Sequence, residues 1–184
     1  MSKTKKDHTV FAEGIRYKII EKAIEIIARD GGINISVHEF AKECGFVTTT
    51  LYTYFRSKKD IIDEARRQME MKFDSVASIP VPGSIPEEMK IRMIAVYILD
   101  FVTKNRWAVE YLDPFAQYDT TKKLIVRLSK LLKRISNDDV QNEYRVYRFL
   151  AGIQFKIRYR FFKGEEPVEK DIDDLCRFMS YPES

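Results

Sequence analysis

Apolar residues recur along most of the chain at intervals of three and four, the period of a helix with one buried side. Ile15, Ile19, Ala23, Ile26 and Ile27 make the first series, which stops at Gly31-Gly32, a good helix terminator. Ser36-x-x-Glu39 opens the next. There the serine hydroxyl can accept from the amide three residues on while the glutamate reaches back, a capping box that predicts a helix over about 37–44. Gly45 follows, where a tight turn can use a positive φ. A third helix is expected over 48–56, with Val47, Leu51, Tyr54 and Phe55 along one side. Ser57 then caps a longer amphipathic helix holding Ile61, Ile62, Ala65, Met69 and Phe73.

The run Ile79-Pro80-Val81-Pro82-Gly83-Ser84-Ile85-Pro86 is the clearest linker, since its prolines cannot continue a helix. Beyond it, further helices are expected over 87–104, 106–112, 121–135, 138–162 and 168–179. Within the fourth of these, residues 155–161 alternate apolar and basic side chains, which is the period of a strand. The segment continues a helical pattern from Val140 without a turn signal, and a lone strand would have no partner, so it is read as helix. Its rings and aliphatic stems are expected to pack at a helix–helix surface with the charged tips in water. The fold class is therefore all-α.

Composition narrows the function. The 184 residues are 45% hydrophobic and 33% charged, as in an ordinary globular protein. No run of about 18 apolar residues is present for a membrane span, and the start has no apolar segment of the kind a secretory signal needs. The cytoplasm is the expected compartment, with no membrane partner. Cys44 and Cys176 read as separate buried thiols. Of the net charge of +4, residues 1–60 carry +3, from 11 basic and 8 acidic residues, which points weakly to an anionic partner at that end. With two histidines, no HExxH, no paired cysteine ligands and no glycine-rich phosphate loop, catalysis has little to stand on, and no metal or cofactor is expected.

The stretch Cys44–Asp60, CGFVTTTLYTYFRSKKD, holds three consecutive threonines, mediocre helix formers whose presence calls for another reason. The two short helices around Gly45, with small Ala41 four residues earlier, fit a helix-turn-helix, and Phe40, Cys44, Phe46, Leu51 and Tyr54 fit its packing positions. If Leu51 faces inward, the 100° step per residue turns Thr49, Tyr52, Thr53 and Arg56 outward, with Thr48 at the leading edge. Hydroxyls can donate or accept, and the threonine methyl can touch a thymine methyl in a major groove. The threonines read as a contact surface for double-stranded DNA.

These residues carry a family resemblance. From Tyr17 to about Ala65, with AKECGFVTTTLYTYFRSKKDI as the specific part, the chain resembles the DNA-binding domain of the TetR family of bacterial transcriptional regulators. Ile24, Ala28, Phe40-Ala41, Gly45, Leu51-Tyr52-x-Tyr54-Phe55 and Ser57-Lys58 carry the likeness. It implies a three-helix DNA-binding domain over 1–57, with a basic N-terminal arm around Lys3, Lys5 and Lys6. A larger helical effector-binding and dimerisation domain would follow over 58–184. The expected function is a repressor that binds a palindromic operator as a homodimer and is released by a small-molecule effector. The alternative is a module of the same fold without a specific operator.

By the same resemblance, Ser36, Tyr52, Tyr54 and Lys58 match phosphate-holding positions, while His38, Thr48, Thr49 and Thr53 match positions that approach bases. Tyr54 fits a packing role equally well. Two positions depart from the family pattern: Val47 stands where serine is frequent, and Thr49 where glycine, alanine or proline is. Valine cannot cap, so Thr48 is expected to take the cap and the helix to start one residue late. Which threonine reads a base stays open. Tyr97, Phe101, Trp107, Tyr111, Phe115 and Tyr118 fall in the region that surrounds the family's ligand cavity, though each also fits core packing. Phe149, Gly152, Ile153, Leu175, Phe178 and Met179 recur at helical spacing on the last two helices and are the expected dimer interface.

Overall fold

The computed structural model describes residues 3–30, 34–116, 118–135 and 138–180, with side chains from Ala12 onward except at 30, 139, 174 and 177–180. The elements are α1 (Lys3–Asp30), α2 (Val37–Glu43), α3 (Thr48–Tyr54), α4 (Lys58–Ala77), α5 (Glu87–Lys104), a 3-10 helix (Arg106–Leu112), α6 (Asp119–Lys133), α7 (Asp139–Phe162) and α8 (Lys170–Ser180). No strand occurs among the described residues, and the alternating segment at 155–161 is helix inside α7. The chain divides into two compact units, Met1–Met69 and Glu70–Ser184, with the division inside α4.

In the first unit, α1 begins at Lys3, so the basic segment expected as an arm is helical backbone. Between Lys3 and Gly14 there is neither glycine nor proline to stop the helix. Ile19, Ile20, Ala23, Ile24, Ile26 and Ile27 bury one side of α1, and Phe40, Ala41, Leu51, Phe55, Ile61 and Ala65 complete the core. Each large side chain so buried contributes roughly 1.5–3 kcal/mol. Arg16 fastens α1 to the rest, its guanidinium 5.1 Å from the Phe55 ring centroid and 3.8 Å from Glu64 Oε1.

In the second unit, α5 buries Ile91, Ile94, Ala95, Ile98, Leu99 and Val102, and α6 buries Leu124, Leu128, Leu131 and Leu132. The segment 106–112, expected as a short helix, is a 3-10 helix with five of its seven residues buried. Side chains satisfy its carbonyls: Thr121 Oγ1 donates to Tyr111 O at 2.9 Å and Gln154 Nε2 to Val109 O at 3.3 Å. A second set of polar links joins α6 to the end of α4. The Thr120 amide donates to Glu70 (3.2 Å), Lys123 pairs with Asp74 (3.0 Å), and Arg127 donates to the carbonyls of Ala77 and Ile79. Arg127 thereby covers the last carbonyl of α4 and the first of the proline-rich linker.

The α7–α8 corner turns at Gly164, whose φ is +73°. Arg160 binds Asp171 at 2.9 Å across it. Burial pushes the Asp171 carboxyl up, but Arg160 and the amide of Val168 outweigh it and hold the carboxyl below its usual range. A β-carbon on Gly152 would lie 2.8 Å from Leu175 Cδ2, so glycine there permits the close approach of α7 and α8.

Candidate nucleic-acid interface

The helix-turn-helix is built by short-range chemistry. Ser36 Oγ accepts from the Glu39 amide at 3.2 Å, and the Glu39 carboxylate accepts from the Ser36 amide at 2.8 Å. These bonds from Ser36 hold the Glu39 carboxyl below its usual range. Gly45 turns the chain at φ +75°, and the Phe46 amide returns to Ala41 O at 2.9 Å. Phe40 and Leu51 are buried, while Cys44, Phe46 and Tyr54 are half-buried at the edge of the unit.

The start of α3 differs from the expectation. Val47, extended at φ −92° and ψ 156°, holds the cap position without a side-chain hydrogen bond, and Thr48 is already helical. The Thr50 amide reaches Val47 O at 3.0 Å, so the backbone alone closes the first turn and Thr48 is not the cap.

Only Leu51 of α3 is buried, and Thr49, Tyr52 and Thr53 face solvent with Arg56 just beyond the helix, as the helical step required. Thr53 Oγ1 donates back to Thr49 O at 3.1 Å, which ties these two outward threonines together. His38, Thr48 and Thr49 are brought together around an open hollow of about 600 Å³, with Lys42, Gly45, Phe46 and Val47. Lys42 is a cation in this hollow that the sequence reading passed over, and its exposed place in the last turn of α2 was the available signal.

The residues expected to hold phosphates are placed differently. Ser36 is exposed next to the α2 start, and Tyr52 lies on the open face of α3. Tyr54 instead lines a separate depression with Arg16, Arg56, Glu64 and Arg67. Lys58 is half-buried and donates from Nζ to Ile35 O at 2.6 Å, tying the start of α4 to the loop before α2.

In the second unit the expected effector aromatics form a chain of ring contacts. Phe101 meets Trp107 edge-on at 5.7 Å, Trp107 meets Tyr111 at 6.0 Å, and Tyr111 meets Tyr118 at 4.6 Å. Phe73 of α4, absent from the sequence-based set, stacks on Tyr111 at 5.3 Å. Trp107 and Tyr111 are buried, and Tyr97 and Tyr118 are exposed. Phe115 stands apart, packed on Tyr147 of α7 at 5.7 Å.

Of the expected dimer residues, Phe149 and Ile153 are fully buried within their own chain, and Gly152 lies under Leu175. The side chains of Phe178 and Met179 lie outside the described residues. The opposite face of α7 is the open one: Val140, Phe155 and Phe162 are 82%, 71% and 86% exposed, and Tyr144 and Tyr159 are exposed beside them. Of the rings at 155–161 expected at a helix–helix surface, Phe155 and Tyr159 are exposed in this chain, while Phe161 is half-buried under Arg106. Phe115, Val140, Tyr144, Tyr147 and Ala151 line a hollow of about 470 Å³ at one end of this face.

Residues 19–65 match the family of bacterial regulatory proteins described as the tetR family. The match to the family's sequence model lies within this head. Two solved structures extend the likeness of fold over most of the chain. A TetR-family protein from Vibrio parahaemolyticus superposes with a TM-score of 0.60 at 17% identity, covering 89% of this chain and 97% of that one. A TetR-family transcriptional regulator from Haemophilus influenzae superposes at 0.57 and 16%, covering 91% and 99%. No curated protein sequence matches. The fold is that of a TetR-family transcriptional regulator, with the family's DNA-binding domain at its N-terminus. No helix among the described residues is long and apolar enough to cross a membrane, and no cluster of metal-binding side chains is found among them.

Proposed function

We propose that this protein is a cytoplasmic repressor that binds a palindromic operator as a homodimer and leaves it when a small-molecule effector binds the helical domain. The exposed face of α3 supports the reading: Thr49, Tyr52 and Thr53 stand outward on a helix anchored by Leu51, with His38 and Lys42 beside its start. A recognition helix in a major groove would present these groups to base edges. The face lacks Lys, Asn and Gln, and its Arg56 lies past the helix, so strong bidentate base contacts are scarce. Sequence would be read through hydroxyls and thymine methyls by His38, Thr48, Thr49 and Thr53. Ser36, Tyr52, Tyr54 and Lys58 would hold phosphates, Lys58 with the ammonium protons that Ile35 O leaves over.

The homodimer interface is assigned to the open face of α7, since Phe149 and Ile153 are used by the core of their own chain. Two such faces related by a twofold axis could bury the rings of Tyr144, Phe155, Tyr159 and Phe162. The effector is expected against the aromatic chain from Phe101 to Tyr118, with Tyr97 and Phe115 at its margins. Division into a DNA-binding part over 1–57 and an effector part over 58–184 follows the same reading.

Footprinting and gel retardation on selected duplexes test the proposal. The expected footprint is symmetric, with half-sites roughly one helical turn, 34–36 Å, or a multiple apart. Protection of one asymmetric half-site by a single chain would overturn the dimeric reading. Absence of any preferred duplex would favour the operator-free alternative.

A further inference from the structure

Arg145 of α7 is 3% exposed, and Asn142, Val146, Phe149 and Leu150 on the same helix are buried as well. Its Nη1 has no hydrogen-bond partner, and among the described residues no carboxylate pairs with it. Lys90, likewise buried, shows the usual solution: its Nζ is 2.9 Å from a Glu87 oxygen. Arg127, part-buried, donates to two backbone carbonyls.

An unpaired buried cation is costly. Lysine or histidine can escape that cost by losing a proton, but a guanidinium in a protein cannot. The charge therefore calls for an anion. A planar fork of donors matches the two oxygens of a carboxylate better than it matches a spherical ion. Val146, Phe149 and Leu150, buried on the same helix, make the surroundings apolar, which suits an apolar body behind that carboxylate. We propose that Arg145 receives the carboxylate of an apolar effector, an anionic docking point inside the helical domain. The inference rests on the reading of that domain as effector-binding.

The test compares thermal unfolding of the full-length protein, Arg145→Met and Arg145→Lys with benzoate, octanoate, their neutral counterparts benzamide and octanol, and inorganic phosphate. A carboxylate at a hundredfold excess over its Kd should raise the wild-type melting temperature by roughly 5 °C or more. The neutral counterparts should not, Arg145→Met should lose the response, and Arg145→Lys should keep only part of it. Unliganded Arg145→Met should melt at or above the wild-type temperature, since an unpaired charge has been removed. Equal carboxylate responses in wild type and either variant would overturn the proposal, as would stabilisation by phosphate alone or by nothing in the set. Duplex retention measured on the same preparations separates the two readings. Normal retention without a carboxylate effect refutes the Arg145 site and leaves operator binding standing. A carboxylate effect lost in Arg145→Met, in a protein that retains no duplex, does the reverse.

Discussion

Phe155→Ala offers the sharpest test of the proposed dimer. Phe155 is 71% exposed on α7 and stacks against Tyr159 at a centroid distance of 6.4 Å, so its truncation should change the stability of a single chain by no more than about 0.5 kcal/mol. Burying a phenylalanine fully contributes roughly 1.5–3 kcal/mol, and the exposed fraction scales this to about 1–2 kcal/mol per chain. In a twofold interface the same residue acts twice, giving about 2–4 kcal/mol, or a dimer dissociation constant roughly 30- to 1,000-fold weaker. Sedimentation velocity over a dilution series reads that constant directly, with thermal unfolding as the check that the chain is intact. A dissociation constant within about threefold of wild type would refute the assignment of this face. Phe149→Ala should behave in the opposite sense, lowering stability by roughly 3–5 kcal/mol because that ring is in the core.

Ser36→Ala removes one half of the capping box and should cost about 1 kcal/mol of stability in urea unfolding, with weaker duplex binding. The Arg67 guanidinium beside Glu64, with help from Gln68 and Arg16, outweighs burial and holds that carboxyl down at about 2. Because the folded value lies below the unfolded one, the stabilisation is present above about pH 4.5 and is lost as pH falls toward 2. Discounted for the exposure of Arg67, Glu64→Gln should cost roughly 1–2 kcal/mol at pH 7 and little at pH 2, and an equal cost at both would contradict the ion pair. Burial pushes the Cys44 thiol up to about 11 and the Cys176 thiol up to about 12, so both should react far more slowly with a thiol reagent at pH 8 in the native protein than in denaturant. Lys58→Ala should weaken binding to all duplexes and lower the salt slope by up to roughly 0.9, whereas Thr49→Ala should relax preference at one or two base pairs and leave the slope nearly unchanged.

The head was legible because its signals are local. A capping box, a glycine at positive φ and a single inward leucine each act within four residues, and all three stand where the sequence puts them. The start of α3 was misjudged because a valine cap looks unfavourable in isolation, while the backbone bond from Thr50 closes the turn without one. In α7 the difficulty is of another kind. Apolar residues lie nearly all round this helix, so spacing finds both the Phe149–Ile153 face and the Val140–Phe155–Phe162 face but cannot say which one its own chain covers. Burial resolves it, and burial depends on helices far away in sequence. The unpartnered guanidinium of Arg145 is invisible for the same reason, since a lone arginine in a helix looks solvated until its surroundings are known.

The sparing anchorage of α3 bears on how such a protein diverges. Seven residues are held with one buried side chain, Leu51, and no side-chain cap. Thr49, Tyr52 and Thr53 can therefore be exchanged with little penalty to folding, so under the proposed function a duplicated gene could drift to a new operator through single substitutions while the rest of the chain stays as it was. The same freedom runs the other way: with so little of α3 committed to the core, selection on these positions would record the history of the proposed operator more faithfully than that of the fold.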